Sequence, residues 1–283
     1  SKHVILAGDD DQAIYGWAGA DVQRFQGEPA KNIILPQSYR VPQAVQQIAD
    51  QILNRIPDNR RIKKQWASRP EGGSVDHVTS IEDVPLHQSD WLILARTNDK
   101  LIKLKSVLQE MAIYFEIKGR KSYKTRLYTA VKNYTRWTNG DKLSMSECKD
   151  LFEFLELDKE LKEERMYGLE EFGYSITDQW YEVFKSDPEE NLYIREMLRN
   201  EQKLSEPAKV KLSTIHAAKG GEATNVLIIL DNTKKIREAM DRSEDKRDEE
   251  NRVWYVGVTR TKQNLFIMTA KQEDRGYDIE SIT

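Results

Sequence analysis

The chain reads as an α/β protein built on a parallel sheet covered by helices on both faces, with a helical segment set into it. Three observations predict this: short, nearly continuous runs of Val, Ile and Leu, amphipathic helical patterns between them, and one long stretch where the alternation stops. The runs are Val4 to Ala7, Ile33 to Leu35, Trp91 to Ala95, Val226 to Leu230 and Leu265 to Met268, bounded by polar or turn residues. Helical patterns cover Val41 to Ile56, with Pro42 near the start, and Lys100 to Met111 after the candidate cap Asn98. Between Lys121 and Pro207 the text is rich in Glu, Lys and Leu. Leu151, Phe152, Phe154 and Leu155, then Trp180, Tyr181, Val183 and Phe184, recur there at helical spacings, which predicts an all-helical insertion with its own aromatic core. The charge run Lys234 to Arg252 predicts a surface loop leading into a solvated helix.

At 283 residues the chain holds one to two domains, and 9% aromatic residues are too many for a disordered polymer despite 32% charged residues. The longest apolar runs reach about a quarter of the ~20 residues a membrane helix needs, so the reading excludes a transmembrane span and a signal peptide. One cysteine, Cys148, and four histidines supply neither a disulfide nor a zinc cluster, which predicts a reducing compartment and no structural metal. The formal net charge of −3 argues against coating nucleic acid by bulk charge. Its distribution is uneven: 99–136 carries ten bases against three acids, a net +7, and 141–209 carries ten against nineteen, a net −9. Segregation of this kind lets one local basic surface meet a phosphate backbone, although two ordinary solvated faces would look the same.

Four segments carry chemistry. Val4 to Ala7 runs into Gly8, three aspartates and Gln12, and carboxylates at a strand's carboxyl end sit where parallel sheets bind ligands, able to hold Mg²⁺ or polarise a water. Tyr15 and Trp17 follow among Gly16 and Gly19, a loop suited to base stacking but equally to packing. Leu35 to Arg40 joins a strand to a helix and offers the ring of Tyr39 and the fork of Arg40, which matches phosphate oxygens. Thr214 to Glu222 places Thr, His and Lys around the pair Gly220 and Gly221, where backbone can approach a ligand closely. Last, Trp254 to Lys262 ends a helix on a single arginine, Arg260, before a strand.

Taken in order, these segments resemble UvrD/Rep-type superfamily 1 DNA helicases. Gly8 to Tyr15 resembles helicase motif III, Tyr39-Arg40 motif IV, Thr214 to Glu222 motif V and Asn251 to Lys262 motif VI, and Arg96-Thr97-Asn98 resembles the family's Arg-Thr-Asn element. The resemblance implies the second RecA-like motor domain of a P-loop NTPase helicase, a parallel sheet flanked by helices with a helical insertion. It implies ATP with Mg²⁺ as cofactors. Gln12, Arg40 and Arg260 would act on the γ-phosphate, the two arginines as fingers; Tyr39 would stack on adenine, and Glu222, beside Gly220, would bind the ribose. Tyr15, Trp17, Arg96, Asn98, Thr214 and His216 would contact single-stranded DNA, and single/double-strand junctions are the implied partners, with 3′-to-5′ polarity by analogy and a cytoplasmic or nucleoid-associated location.

The departures shape the reading. No glycine in the chain is followed by lysine, so the phosphate-cradling Gly-x-x-x-x-Gly-Lys-Ser/Thr is absent, and no Asp-Glu pair ends a strand. The chain therefore reads as the portion of a helicase from motif III onward, with the P-loop and most of the Mg²⁺ site on a preceding motor domain, and as inactive alone. Its triple Asp is then not the metal site. Ala18, Ser38, Gly221 and Ala223 stand where the family commonly has Arg, Asn, Leu and an aromatic. The division expected is 1–26 as the end of the first RecA-like domain, 27–120 and 208–283 as the second, and 121–207 as the insertion. The alternative from another class is a non-catalytic DNA-binding module of a recombination or repair complex with a degenerate motor. A structural α/β domain is the third.

Overall fold

The computed structural model describes residues 5–16, 19, 24, 27, 31, 33–270 and 275–279. The chain divides into two compact units, Ser1–Lys105 with Lys209–Thr283, and Ser106–Ala208.

The first unit is the parallel sheet with its helices. A short parallel pair, β1 (Gln37–Pro42) and β2 (Ala67–Arg69), flanks α1 (Gln43–Leu53). The main sheet takes β3 (Ser74–Val78), β4 (Trp91–Ala95), β7 (Val210–Thr214), β8 (Ala223–Ile229) and β9 (Thr261–Met268), in the order β3, β9, β8, β4, β7, all parallel. Strands β4 and β8 are apolar along their length because both faces are covered. Leu92, Val226 and Leu265 lie side by side in register, as do Leu94, Ile228 and Ile267. These rows share one core with Val45, Ile48 and Ile52 of α1 and with Val253, Trp254 and Val256 of α8 (Glu244–Val258). The neighbouring positions, Trp91 and Phe266 among them, face the other side, where their rings meet at 5.1 Å. Helix α2 (Asn98–Glu110) leaves β4, and α7 (Lys234–Arg242) follows β8.

The second unit begins with a hairpin, β5 (Phe115–Ile117) and β6 (Arg120–Lys121), whose two turn residues Lys118 and Gly119 both have positive φ, as a tight hairpin turn requires. Helices α3 (Thr125–Thr138), α4 (Met145–Leu155), α5 (Trp180–Val183) and α6 (Pro188–Arg199) follow. Ser144 and Glu147 form a reciprocal cap on α4, and Asp187 caps α6 with Pro188 in its first turn. Leu151, Phe152, Leu155, Trp180 and Phe184 are buried together with Tyr134, Trp137 and Tyr193, so the unit has the aromatic core its spacing predicts. It is not all helix, since 156–179 is irregular apart from a 3₁₀ turn at Leu169–Phe172.

Several expectations are corrected. Ile5 to Ala7 and Ile33 to Leu35 are not strands but exposed, irregular chain, Ile5 being 91% accessible, and Val4 lies outside the described residues. Their composition suits a strand, yet among the described residues no neighbour pairs with them, and a strand exists only through its partner's hydrogen bonds. Val41 and Pro42 belong to β1, so the helix starts at Gln43 and Leu35 to Arg40 enters a strand rather than linking one to a helix. The run Lys234 to Arg252 is two helices, and Asp248, Glu250, Asn251 and Arg252 are buried, because α8 packs on the sheet through the half that was read as solvated.

Gly257 shows how closely α8 approaches: a Cβ there would stand 2.7 Å from Cδ1 of Ile228 on β8 and 3.3 Å from Cδ1 of Ile215. Gly257→Ala is therefore expected to destabilise the chain by about 1–3 kcal/mol, the usual cost of an overpacked core. Urea unfolding of the two forms measures it, and equal midpoints would contradict the packing.

Candidate functional site

The segment 9–16 is held by charge. Asp9 caps a 3₁₀ turn at Asp10–Gln12, accepting from the Asp11 amide at 3.2 Å and from the Gln12 side chain at 2.7 Å. Lys64, between β1 and β2 in sequence, puts its ammonium among the three carboxylates, 2.8 Å from Asp9 and from Asp11 and bonded to Asp10. Arg61 stands 3.4 Å from Asp11, and the Ile62 amide donates to Asp10 at 3.1 Å. Burial pushes the Asp11 carboxyl up from the usual carboxylate range, against Lys64, which pulls it down. Burial likewise opposes the Lys64 charge, but its hydrogen bonds to Asp10, Asp11 and Asp9 outweigh that and raise its pKa. The aspartates lie close enough together to share a cation. The tethered ammonium already fills that role, so they do not fit a Mg²⁺ site.

Two hollows flank this segment. The first, about 430 Å³, is lined by Gly8, Asp9, Gln12, Ser38, Arg40 and Lys64 among others. Beside it Arg260, only 2% exposed, sits at the end of α8. Its guanidinium donates to the Val256 carbonyl at 2.9 Å, to the Thr259 hydroxyl at 3.3 Å, to the Gly221 carbonyl at 3.4 Å and to Gln12 Oε1 at 3.4 Å. Burial first and the Arg40 charge second bring its pKa down to about 10, which leaves it charged at neutral pH. Arg40 pairs with Glu222 at 3.6 Å, and Glu222 with Lys262 at 2.7 Å; the Lys262 hydrogen bond chiefly lowers the Glu222 pKa. The buried Nε of Arg40 has no hydrogen-bond partner. An unspent donor in a cleft with Lys64 fits an anionic group such as a phosphate oxygen.

The second hollow, about 460 Å³, opens at the carboxyl ends of β4 and β7, where parallel sheets bind ligands. Arg96, Thr97, Asn98, Thr214 and His216 line it, facing Lys246, Glu249 and Glu250 of α8. The buried hydroxyl of Thr97 has no partner. Tyr15, half-buried, donates its hydroxyl to the His216 carbonyl at 2.6 Å, and Lys219 stands 5.2 Å above its ring while donating to the Gln12 carbonyl at 2.8 Å. His216 is held below the ordinary histidine pKa, by burial first and then by the Arg96 charge.

The structure thus brings together Gln12, Arg40, Glu222 and Arg260 on one side, and Tyr15, Arg96, Asn98, Thr214 and His216 on the other. Tyr39 is 86% exposed and does not line the cleft. Gly220 is exposed with φ +88°. Trp17 lies outside the described residues. In the basic stretch, Lys121 is engaged by the Tyr123 hydroxyl and the Leu204 carbonyl, Arg126 pairs with Glu153, and Lys124 is exposed. Sequence reasoning missed Lys64, Arg61 and Glu250. The first two had a signal in the run Arg60 to Lys64, opposite in charge to Asp9 to Asp11; Glu250 is one acid among many.

Fold and site together define a parallel α/β domain with an arginine-bearing cleft at the amino edge of its sheet and a polar pocket at the carboxyl edge. The chain belongs to the family of the UvrD-like helicase C-terminal domain, whose model matches residues 120–272. This agrees with a RecA-like sheet. Among its relatives is the ATP-dependent DNA helicase PcrA of Staphylococcus epidermidis, 27% identical over 157 residues, which are 48% of this chain and 21% of that protein. The PcrA of Staphylococcus aureus is 26% identical over the same shares. The chain thus spans about a fifth of the length of these relatives. The C-terminal domain of a possible DNA helicase from Lactobacillus plantarum aligns over 87% of this chain and 94% of that one, with 11% identity and a TM-score of 0.27. At that score the superposition says nothing about fold. Among the described residues no helix is long and apolar enough to cross a membrane.

Lys64→Met removes the one ammonium shared by three carboxylates and is expected to cost about 3–5 kcal/mol, as removal of one partner from a buried ion pair does. The loss should shrink on acidification, which neutralises the aspartates. In the wild type the Lys64 contribution persists up to the ordinary lysine pKa of 10.5 and is lost as pH rises through its raised folded value. Denaturant titrations across pH test this, and a pH-independent difference would contradict it.

His216 titrates in the opposite sense. Because its folded pKa lies below 6.5, the unfolded chain takes up the proton first and stability falls as pH drops through 6.5. His216→Asn should flatten the decline in Tm between about pH 7 and about pH 5. Parallel wild-type and variant curves would contradict it.

Proposed function

We propose that the chain supplies the second motor domain of an ATP-dependent superfamily 1 DNA helicase. The observation that carries this is the approach of Gln12 to Arg260 beside the pair Arg40 and Glu222, which gathers residues from four distant segments around one cleft. ATP, when bound, supplies the phosphoryl group whose transfer to water releases free energy. Arg40 and Arg260 would hold its terminal phosphate, Gln12 would orient the attacking side, and Glu222 and the exposed ring of Tyr39 would hold the nucleoside. Such chemistry is positioning and charge stabilisation, for which a buried, permanently charged Arg260 suits better than a solvated one. The Mg²⁺ and phosphate-loop ligands come from a preceding domain of the same polypeptide.

Tyr15, Arg96, Asn98, Thr214 and His216 contact single-stranded DNA at the carboxyl-edge pocket, with Trp17 on the same segment. Support comes from the convergence of Arg96, Asn98, Thr214 and His216 there, from the Tyr15 bond to the His216 carbonyl, and from the unpaired Thr97 hydroxyl. The segment 9–16 lines the cleft through Asp9 and Gln12 and bonds through Tyr15 to His216 of the pocket, so closing the cleft would link hydrolysis to strand movement.

In a polypeptide that also carries the phosphate loop, Arg260→Ala and Arg40→Ala are each expected to lower ATP turnover by roughly 10³ or more, with a smaller loss of nucleotide affinity. Steady-state ATPase with saturating DNA measures both, and wild-type turnover in either variant would remove that residue from the site. The chain alone is expected to show no ATPase, and metal-dependent hydrolysis by it that survives Arg260→Ala would refute the assignment.

A further inference from the structure

Arg96 is the strongest cation of the carboxyl-edge pocket, yet it is not free. Its Nε lies 2.6 and 3.0 Å from the two carboxylate oxygens of Glu250, and its Nη2 lies 2.5 Å from Oε1. Glu250 is 4% exposed, so the carboxylate was taken out of water to make this pair. The fork occupies one edge of the guanidinium. Among the described residues Nη1 makes no hydrogen bond, which leaves the second edge available to the pocket. Nearby, Lys246 is paired with Glu249 at 2.7 Å, and His216 feels the Arg96 charge.

We propose that Glu250 is a positioning residue for nucleic-acid binding: it clamps one edge of the Arg96 guanidinium so that the other edge is presented to a phosphate oxygen of the bound strand. The inference rests on the pocket's being the single-strand site. A carboxylate in a DNA site normally repels the ligand, so its removal should strengthen binding. A clamp predicts the opposite sign, because an unclamped arginine loses its preorganised direction. Glu250 lies near the middle of α8 and Arg260 two residues beyond its end, about 15 Å along the helix. The clamp therefore anchors the helix that ends at the other cleft.

The test is the affinity of the chain for a fluorescent oligothymidylate, measured by anisotropy at several salt concentrations. Glu250→Gln is expected to weaken binding roughly tenfold or more, about as much as Arg96→Ala, and the double variant to be no weaker than either single one. In both single variants the slope of log affinity against log salt should fall by roughly 0.7, the value for one single-strand phosphate contact. Tighter binding by Glu250→Gln, or an unchanged salt slope, overturns the inference and leaves the pocket reading intact. Wild-type chain that does not bind the oligonucleotide removes the pocket reading and this inference with it. Arg96→Lys, which keeps the charge without the fork, covers the case in which Glu250→Gln does not fold: binding as weak as that of Arg96→Ala supports the clamp, and wild-type affinity overturns it.

Discussion

The ammonium of Lys64 among Asp9, Asp10 and Asp11 is the interaction on which the rest of the site depends. Three adjacent carboxylates repel one another, and burial makes Asp11 costlier to keep ionised. One lysine at bonding distance from all three, with Arg61 behind it, turns that liability into an anchor. Everything in 9–16 takes its position from there. Gln12 reaches Arg260 at one edge of the sheet, and Tyr15 reaches His216 at the other. A segment with little secondary structure is thereby fixed by its side chains.

Helix α8 is the second constraint. It runs antiparallel to the strands, so its acids face the carboxyl-edge pocket while its last turn and Arg260 lie at the amino edge. Glycine at 257 lets it lie against Ile228 and Ile215 closely enough to bury Trp254 and Val256 in the sheet's core. That contact makes Arg260 a buried residue bonded to helix-end carbonyls rather than a flexible surface side chain. Four polar partners take four of its five N–H donors and keep it pointed at Gln12, which leaves one N–H on Nη1 for a ligand.

The two hollows differ in how their charges are engaged. The cleft at the amino edge gathers Arg40, with an unspent donor, Lys64 and Arg260, opposed among the described residues by Glu222 and the aspartates that Lys64 anchors. The pocket at the carboxyl edge balances Arg96 and Lys246 against Glu250 and Glu249. In the second the net charge is also small, so the direction of its donors rather than bulk charge does the selecting.

By itself the sequence determined the class of fold, the three central strands β4, β8 and β9, the aromatic core of 121–207 and most of the polar segments that the structure places around the two hollows. Periodicity and residue type are local properties, and Trp91 to Ala95 or Arg96-Thr97-Asn98 can be read without knowing what lies beside them. It erred where a local pattern depends on a distant partner. Ile33 to Leu35 has the composition of a strand but no neighbour to bond, and Glu250 sits in a charge run whose solvated look gave no sign that one carboxylate would be buried against Arg96. Only the tertiary structure decided that Lys64 neutralises the triple aspartate, that Arg260 is buried, and that the predicted residues sort into two hollows on opposite edges of the sheet. Each of these is a pairing across many residues of chain, set by which elements pack together, and no spacing along the sequence encodes it.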